Sequence, residues 1–217
     1  MEYYFISVSL DLKEIGRYYQ TKGLPEGYTS KWFDEPNSMT NLAYNALPDF
    51  IPDLKWELES KAKLTDIISA GNITADGFLM NEKTKEIFQQ FNLLEHKFHD
   101  ATLIVKGQKL RYYFLQIVCK DFDMIDFQRS SFCVASLTGI KKYDINIFSS
   151  DDLFEKQKQL DIGVGIKLEK LFLKNNIEPD LFFFPYLHVD YFASQSLVNA
   201  LNDNNITGYQ TLPQRII

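Results

Sequence analysis

The sequence predicts an α+β fold with a mainly antiparallel or mixed sheet and several short interspersed helices. Three observations lead there. Short β-branched and aromatic runs are bounded by turn residues, one pair of runs reads as a hairpin, and brief helical patterns fall between strands without regular alternation. The 217 residues are 45% apolar and 15% aromatic, including 18 Phe and 12 Tyr, which excludes a disordered chain. A chain of this length buries about 70% of its unfolded surface. It is expected to form a single domain over 1–217, or two lobes covering about 1–140 and 141–217.

The first apolar run, Tyr3-Tyr4-Phe5-Ile6-Ser7-Val8, has no Lys or Arg before it and no small-x-small pattern after it. It therefore reads as a strand and not as a secretory signal. Residues 21–53 are the most irregular part, holding Pro25, Pro36, Pro48 and Pro52 together with Gly23, Gly27 and Asn37. A loop of that length inside a compact domain is uncommon and is often functional. Leu54, Trp56 and Leu58 alternate with Lys55 and Glu57, the pattern of a half-buried strand. Residues 64–71 read as a short helical turn closed by Gly71.

Phe78-Leu79-Met80 is apolar, and Asn81 then caps a helix whose stripe is Ile87, Phe88 and Phe91. Residues 98–106 and 110–118 are β-branched or aromatic, and Gly107-Gln108 between them marks a hairpin. Residues 125–132 and 143–148 are further strand candidates, and a helix is expected from Ser150 to about Leu160. Residues 179–184 read as a buried strand. Tyr191-Phe192-Ala193 leads to Ser194, a second good cap, before Leu197, Val198, Ala200 and Leu201 on one helical face. The strand-cap-helix order thus occurs at 78–88 and again at 191–201. A decayed duplication and a coincidence both account for it, since such units are common.

Chemistry is sparse. His96 and His99 would share a face only on a helix, and no third ligand stands at metal-binding spacing. His188 lies among apolar neighbours. Cys119 and Cys133 form no Cys-x-x-Cys pair, and two cysteines suit a reducing compartment. Gly163-Val164-Gly165 lacks the third glycine of a dinucleotide loop, because position 168 is Leu168, so it reads as a turn. No catalytic residue, metal or cofactor is assigned. Asp121 and Asp123 alternate so as to share one strand face. Trp32-Phe33-Asp34-Glu35 combines two aromatics with two carboxylates, the composition of an interface anchor with a charged rim.

The 23 basic and 29 acidic residues give a net charge of −6. That argues against nucleic-acid binding through bulk positive charge. The longest late apolar run, residues 181–187, is far short of the ~20 residues of a spanning helix. No nucleic acid and no membrane is expected as a partner, and the location expected is cytoplasmic.

From Leu64 onward, about two-thirds of the chain resembles the immunity proteins of bacterial polymorphic toxin systems, first grouped as an uncharacterised domain family. The similar words are Leu64-Thr65-Asp66-Ile67-Ile68-Ser69 and Gly77-Phe78-Leu79-Met80-Asn81 before a helix. They continue with Phe98-His99-Asp100-Ala101, Tyr112-Tyr113-Phe114-Leu115, Ile125-Asp126-Phe127-Gln128-Arg129-Ser130-Ser131-Phe132, and Ser194-x-x-Leu197-x-x-Ala200-Leu201 ending near Thr207-Gly208. Asn81 stands where the family pattern has serine, a mild change because both cap helices. The first sixty residues carry no matching word. The resemblance implies no catalytic residues; it implies a protein that occupies a cognate toxin by direct contact. Trp32, Phe33, Asp34, Glu35, Asp121 and Asp123, singled out above by their composition and spacing, are the candidate toxin-binding residues. The alternative is a small cytosolic enzyme whose site is assembled from His99, Asp100, Asp121 and Cys133.

Overall fold

Burial on both faces shapes the centre of this protein. In a computed structural model, residues 2–22, 34–43, 45–71, 77–120, 122–136, 138–174, 178–185, 187 and 191–213 are described. In chain order they form β1 (Tyr3–Val8), α1 (Leu12–Ile15), β2 (Leu54–Glu57), β3 (Ile67–Ile68), β4 (Gly77–Met80), α2 (Glu82–Phe88), β5 (His96–Val105) and β6 (Gln108–Ile117). Then follow β7 (Ser131–Ser136), β8 (Lys141–Ile145), α3 (Ser150–Lys158), β9 (Val164–Lys170), β10 (Leu181–Phe182), β11 (Tyr191–Ser194), α4 (Gln195–Asp203) and β12 (Tyr209–Pro213). The fold is α+β, as the sequence predicts.

Three sheets organise these elements. One has the order β10-β11-β1-β12 and is antiparallel throughout. The second, β2-β5-β6-β4-β3, is antiparallel except where β2 runs parallel to β5. The third is the antiparallel trio β8-β7-β9.

The apolar run Tyr112-Tyr113-Phe114-Leu115 makes physical sense in this arrangement. Tyr113 and Leu115 enter the main core, while Tyr112 and Phe114 enter a second core under β2 with Trp56, Leu103, Met39 and Leu42. A strand covered on both sides cannot alternate apolar with polar residues. In the main core, Phe182 stacks on Phe192 with ring centroids 4.9 Å apart. Helices α2 and α4 pack against each other over this core.

Several local expectations change. Residues 64–71 are not a helical turn: Ile67 and Ile68 are fully buried and pair with Met80 and Leu79. Ile67 faces the main core and Ile68 the second, so burial on both sides selects a strand. Gly71 caps nothing; its carbonyl accepts the Trp56 indole N–H at 2.9 Å, and its own amide donates to Thr21. The hairpin turn is Lys106-Gly107, one residue earlier than Gly107-Gln108, with φ of 49° and 81° at the two central positions. That is the mirror-image turn that two-residue hairpins require.

Over 125–132 the strand begins only at Ser131, because the Asp126 carboxylate accepts the amides of Gln128 and Arg129 and turns the chain. The strand expected at 143–148 lies at Lys141–Ile145, and that at 179–184 narrows to Leu181–Phe182. Gly163, at φ 90°, is a turn as expected, but it opens into β9, which the sequence reading left out.

Both long caps are present. The Asn81 side chain accepts the Thr84 amide at 3.0 Å, and the Ser194 hydroxyl accepts the Leu197 amide at 3.2 Å. α3 is capped by Ser149, one residue before the expected start.

Gly208, just before β12, packs closely against β3 of the other large sheet. At φ 87° it leaves no room for a side chain, since a Cβ would lie 1.9 Å from the Ile67 carbonyl oxygen. Gly208→Ala therefore combines a left-handed backbone with a steric clash, and is expected to cost about 2 kcal/mol or more in chemical denaturation.

Candidate functional site

Among the described residues of 21–53 no long element forms, yet these residues are firmly attached. Met39 and Leu42 are buried in the second core. They sit at a single 3-10 turn, Met39–Asn41, capped by Ser38. The Asn41 side-chain amide donates to the carbonyl of Glu35 at 2.9 Å, and the Asp53 amide donates to the carbonyl of Asn37 at 2.8 Å. Gln116, itself fully buried on β6, donates from Nε2 to the carbonyls of Ala43 at 2.7 Å and Ala46 at 3.0 Å.

What this attachment displays is acidic. Residues 34–53 contain Asp34, Glu35, Asp49 and Asp53 and no Lys or Arg. Asp34, Glu35 and Asp49 are exposed, and Ile51 beside them is 87% exposed. Asp53 is partly neutralised by Lys55, with Nζ 2.6 Å from its carboxylate. An exposed aliphatic side chain near several carboxylates, on a backbone fixed from below, is an arrangement suited to docking a basic surface.

His99 completes the attachment. It is 4% exposed, and its Nε2 lies 2.9 Å from Gln116 Oε1. Because both Gln116 contacts to Ala43 and Ala46 use its amide nitrogen, Oε1 is left to accept. The histidine therefore donates from Nε2–H to Gln116. Burial, with Lys97 nearby, holds its pKa below the ordinary histidine range although the Gln116 bond works the other way.

A second surface surrounds α3. Asp123 is exposed at an open depression of about 390 Å³ that also includes Asp126, Phe127, Phe148, Ser149 and Lys174. An apolar pocket of about 310 Å³ lies between Cys119, Phe122, Leu153, Phe154, Gln157 and Pro185. Phe148 is 70% exposed and Phe154 40%. Asp34 and Glu35 thus belong to the loop over the second core, and Asp123 to the α3 depression. Trp32, Phe33 and Asp121 lie outside the described residues.

The described residues of the enzyme alternative, His99, Asp100 and Cys133, are not gathered into one site. His99 and Asp100 are neighbours on opposite faces of β5, and Asp100 is exposed and paired with Arg111 at 2.9 Å. Cys133 sits in the three-stranded sheet, where burial and the adjacent Glu169 raise its thiol pKa, opposite to what a nucleophile needs. His96 Nδ1 is 2.7 Å from the Leu94 carbonyl, and His188 lies outside the described residues. Among the described residues, no group of three or more His, Cys, Asp or Glu could hold a metal ion. The sequence reading missed Gln116 and Ile51. The signal for Gln116 was available: it is the one polar residue in the run from Tyr112 to Val118.

No family model matches the chain, and no curated protein matches it. Among the described residues, no helix is long and apolar enough to cross a membrane.

Protonating His99 would place a charge in the second core and remove the neutral tautomer. Its pKa is depressed on folding, so the unfolded chain takes up the extra proton. This contribution to stability is complete above about pH 6.5 and declines as the pH falls below it. His99→Gln is expected to flatten the pH dependence between about pH 7 and pH 5.5, and amide exchange near Ala43 and Ala46 should lose its acid sensitivity with it.

Proposed function

We propose that this chain is an immunity-type binding module, which neutralises a cognate bacterial toxin in the cytoplasm by direct protein–protein contact and catalyses nothing. The observation that carries the reading is the acidic loop 34–53, whose exposed carboxylates and Ile51 stand on a backbone anchored by Met39, Leu42 and Gln116. The family-like words from Leu64 onward and the net charge of −6 support it.

Physically, an inhibitor needs complementary shape and charge, not a reaction centre. Many toxin domains act on polyanions and therefore present basic clefts. An acidic surface is drawn to such a cleft over long range, and a pre-fixed loop loses little conformational entropy on docking. Carboxylates at the rim govern encounter, and a buried aliphatic or aromatic anchor governs residence.

Calorimetric titration against the toxin encoded in the neighbouring reading frame tests this; no binding at micromolar concentration refutes it. The double variant Asp34→Lys/Glu35→Lys is expected to slow association about tenfold or more at low salt, with the deficit shrinking as ionic strength rises. Ile51→Ala is expected to weaken affinity by about 1–2 kcal/mol, mainly through faster dissociation. If both changes leave affinity and rates untouched, the contact surface lies elsewhere.

A further inference from the structure

The two large sheets carry the same pattern of elements. In one, β3, β4, β6 and β5 are neighbours in that order; in the other, β10, β11, β1 and β12 are, and every adjacent pair in both is antiparallel. Each second strand runs into a capped helix, Asn81 into α2 and Ser194 into α4.

The registers agree as well as the order. The residue after Asp66 pairs with the residue before Asn81, Ile67 with Met80; the residue after Asp180 pairs with the residue before Ser194, Leu181 with Ala193. Tyr113 stands opposite Met80 just as Tyr4 stands opposite Ala193. This alignment brings Tyr3-Tyr4-Phe5-Ile6 over Tyr112-Tyr113-Phe114-Leu115, an identity of three residues followed by Ile against Leu.

Specific side-chain bonds coincide too. The Tyr113 hydroxyl donates to Glu82, the first residue of α2, and the Tyr4 hydroxyl donates to Gln195, the first residue of α4. The amide of Asn81 donates to the Asp66 carbonyl at 2.9 Å, and that of Ser194 to the Asp180 carbonyl at 2.8 Å. Each cap side chain also donates to its aspartate, Asn81 Nδ2 to Asp66 at 2.6 Å and Ser194 Oγ to Asp180 at 2.5 Å. Thr84 and Leu197, three residues after the caps, are both fully buried, as are Phe88 and Leu201.

We infer that the chain is a tandem duplication whose two repeats have exchanged their first strands. The first repeat runs β1, β3, β4, α2, β5; the second runs β6, β10, β11, α4, β12. In each, the leading strand crosses into the sheet of the other: β1 lies between β11 and β12, and β6 between β4 and β5. The contacts across the junction are reciprocal. Asp66 accepts the Thr207 amide and hydroxyl in the segment after α4, and Asp180 accepts the Asn92 amide in the segment after α2.

Chance convergence of common strand-cap-helix units explains order, but it does not explain equal register, equal aspartate clasps and equal tyrosine-to-helix bonds together. The connections between the first and second strands, residues 9–66 and 118–180, fall at equivalent positions and carry different elements among their described residues. One holds the acidic loop and β2, the other the three-stranded sheet and α3. The repeated frame is scaffold, and these two unlike insertions are where each half acquired its own surface.

Inverting the order of the repeats tests the inference. In a permuted chain opened between Lys106 and Gly107, a short glycine-serine linker joins Pro213 to Tyr3 in place of residues 214–217 and 1–2. The β12–β1 junction then takes the part of the β5–β6 hairpin. The expected result is one cooperative thermal transition within about 5 °C of the parent. A permuted chain that does not fold, or unfolds in two steps, overturns the equivalence of the two junctions.

Hydrogen exchange on the chain in its natural order reads the strand exchange independently. Tyr4→Phe is expected to speed exchange in the first turn of α4 by about threefold or more and leave α2 unchanged, and Tyr113→Phe to do the reverse. Effects confined to the variant's own repeat, or a response to only one of the two tyrosines, overturn the inference.

Discussion

Two carboxylates, Asp66 and Asp180, hold the architecture together. Each lies at the start of a short buried strand, orients the cap of the following helix, and reaches the segment that follows the other helix. For Asp66 burial alone would favour the neutral acid, but the bonds from Thr207 and Asn81, with Lys83 nearby, hold its pKa below the ordinary carboxylate range. A charge-assisted bond to a backbone amide is stronger than a neutral one, and losing either partner strands a partly buried group. The clasps fix where the two sheets meet and how α2 and α4 pack above them.

Around that junction the second core does a different task. Met39 and Leu42 cover Trp56, Leu103 and Phe114 on the far face of the five-stranded sheet, which would otherwise expose an apolar surface. The cover is a segment with little regular structure. The carbonyls of Ala43 and Ala46 find a partner in Gln116 and that of Glu35 in the Asn41 side chain, which lets these irregular residues lie against a sheet. The same Gln116 that satisfies the loop is itself held by a hydrogen bond from His99 Nε2.

The division of labour between frame and insertions bears on function. A repeated, reciprocally locked scaffold is rigid where strands cross, and its connections are free to vary in length and character. The acidic loop 34–53 and the α3 region are both such connections. An inhibitory module gains from that arrangement, since a fixed surface keeps its entropy cost of docking low while its composition adapts to the partner.

Much was legible in the sequence because it depended on local chemistry. The α+β class, the first strand, the Leu54–Trp56 strand, a hairpin over about 98–118 and the caps Asn81 and Ser194 follow from patterns that neighbouring residues set by themselves. The misreading of Ile67-Ile68 and the omission of β9 have one cause. Two buried residues, or a strand between charged neighbours, carry no period of their own, and only the partner strand decides their conformation. The candidate site divides in the same way. The carboxylates of 34–35 and the irregular character of the described residues of 21–53 could be read directly, whereas the anchoring by Gln116 and His99 and the exposure of Ile51 exist only once β5, β6 and the loop are brought together. Sequence determined which segments could form elements and what charge they carry; tertiary structure decided which faces are covered and which strands exchange, because burial and pairing join residues far apart in the chain.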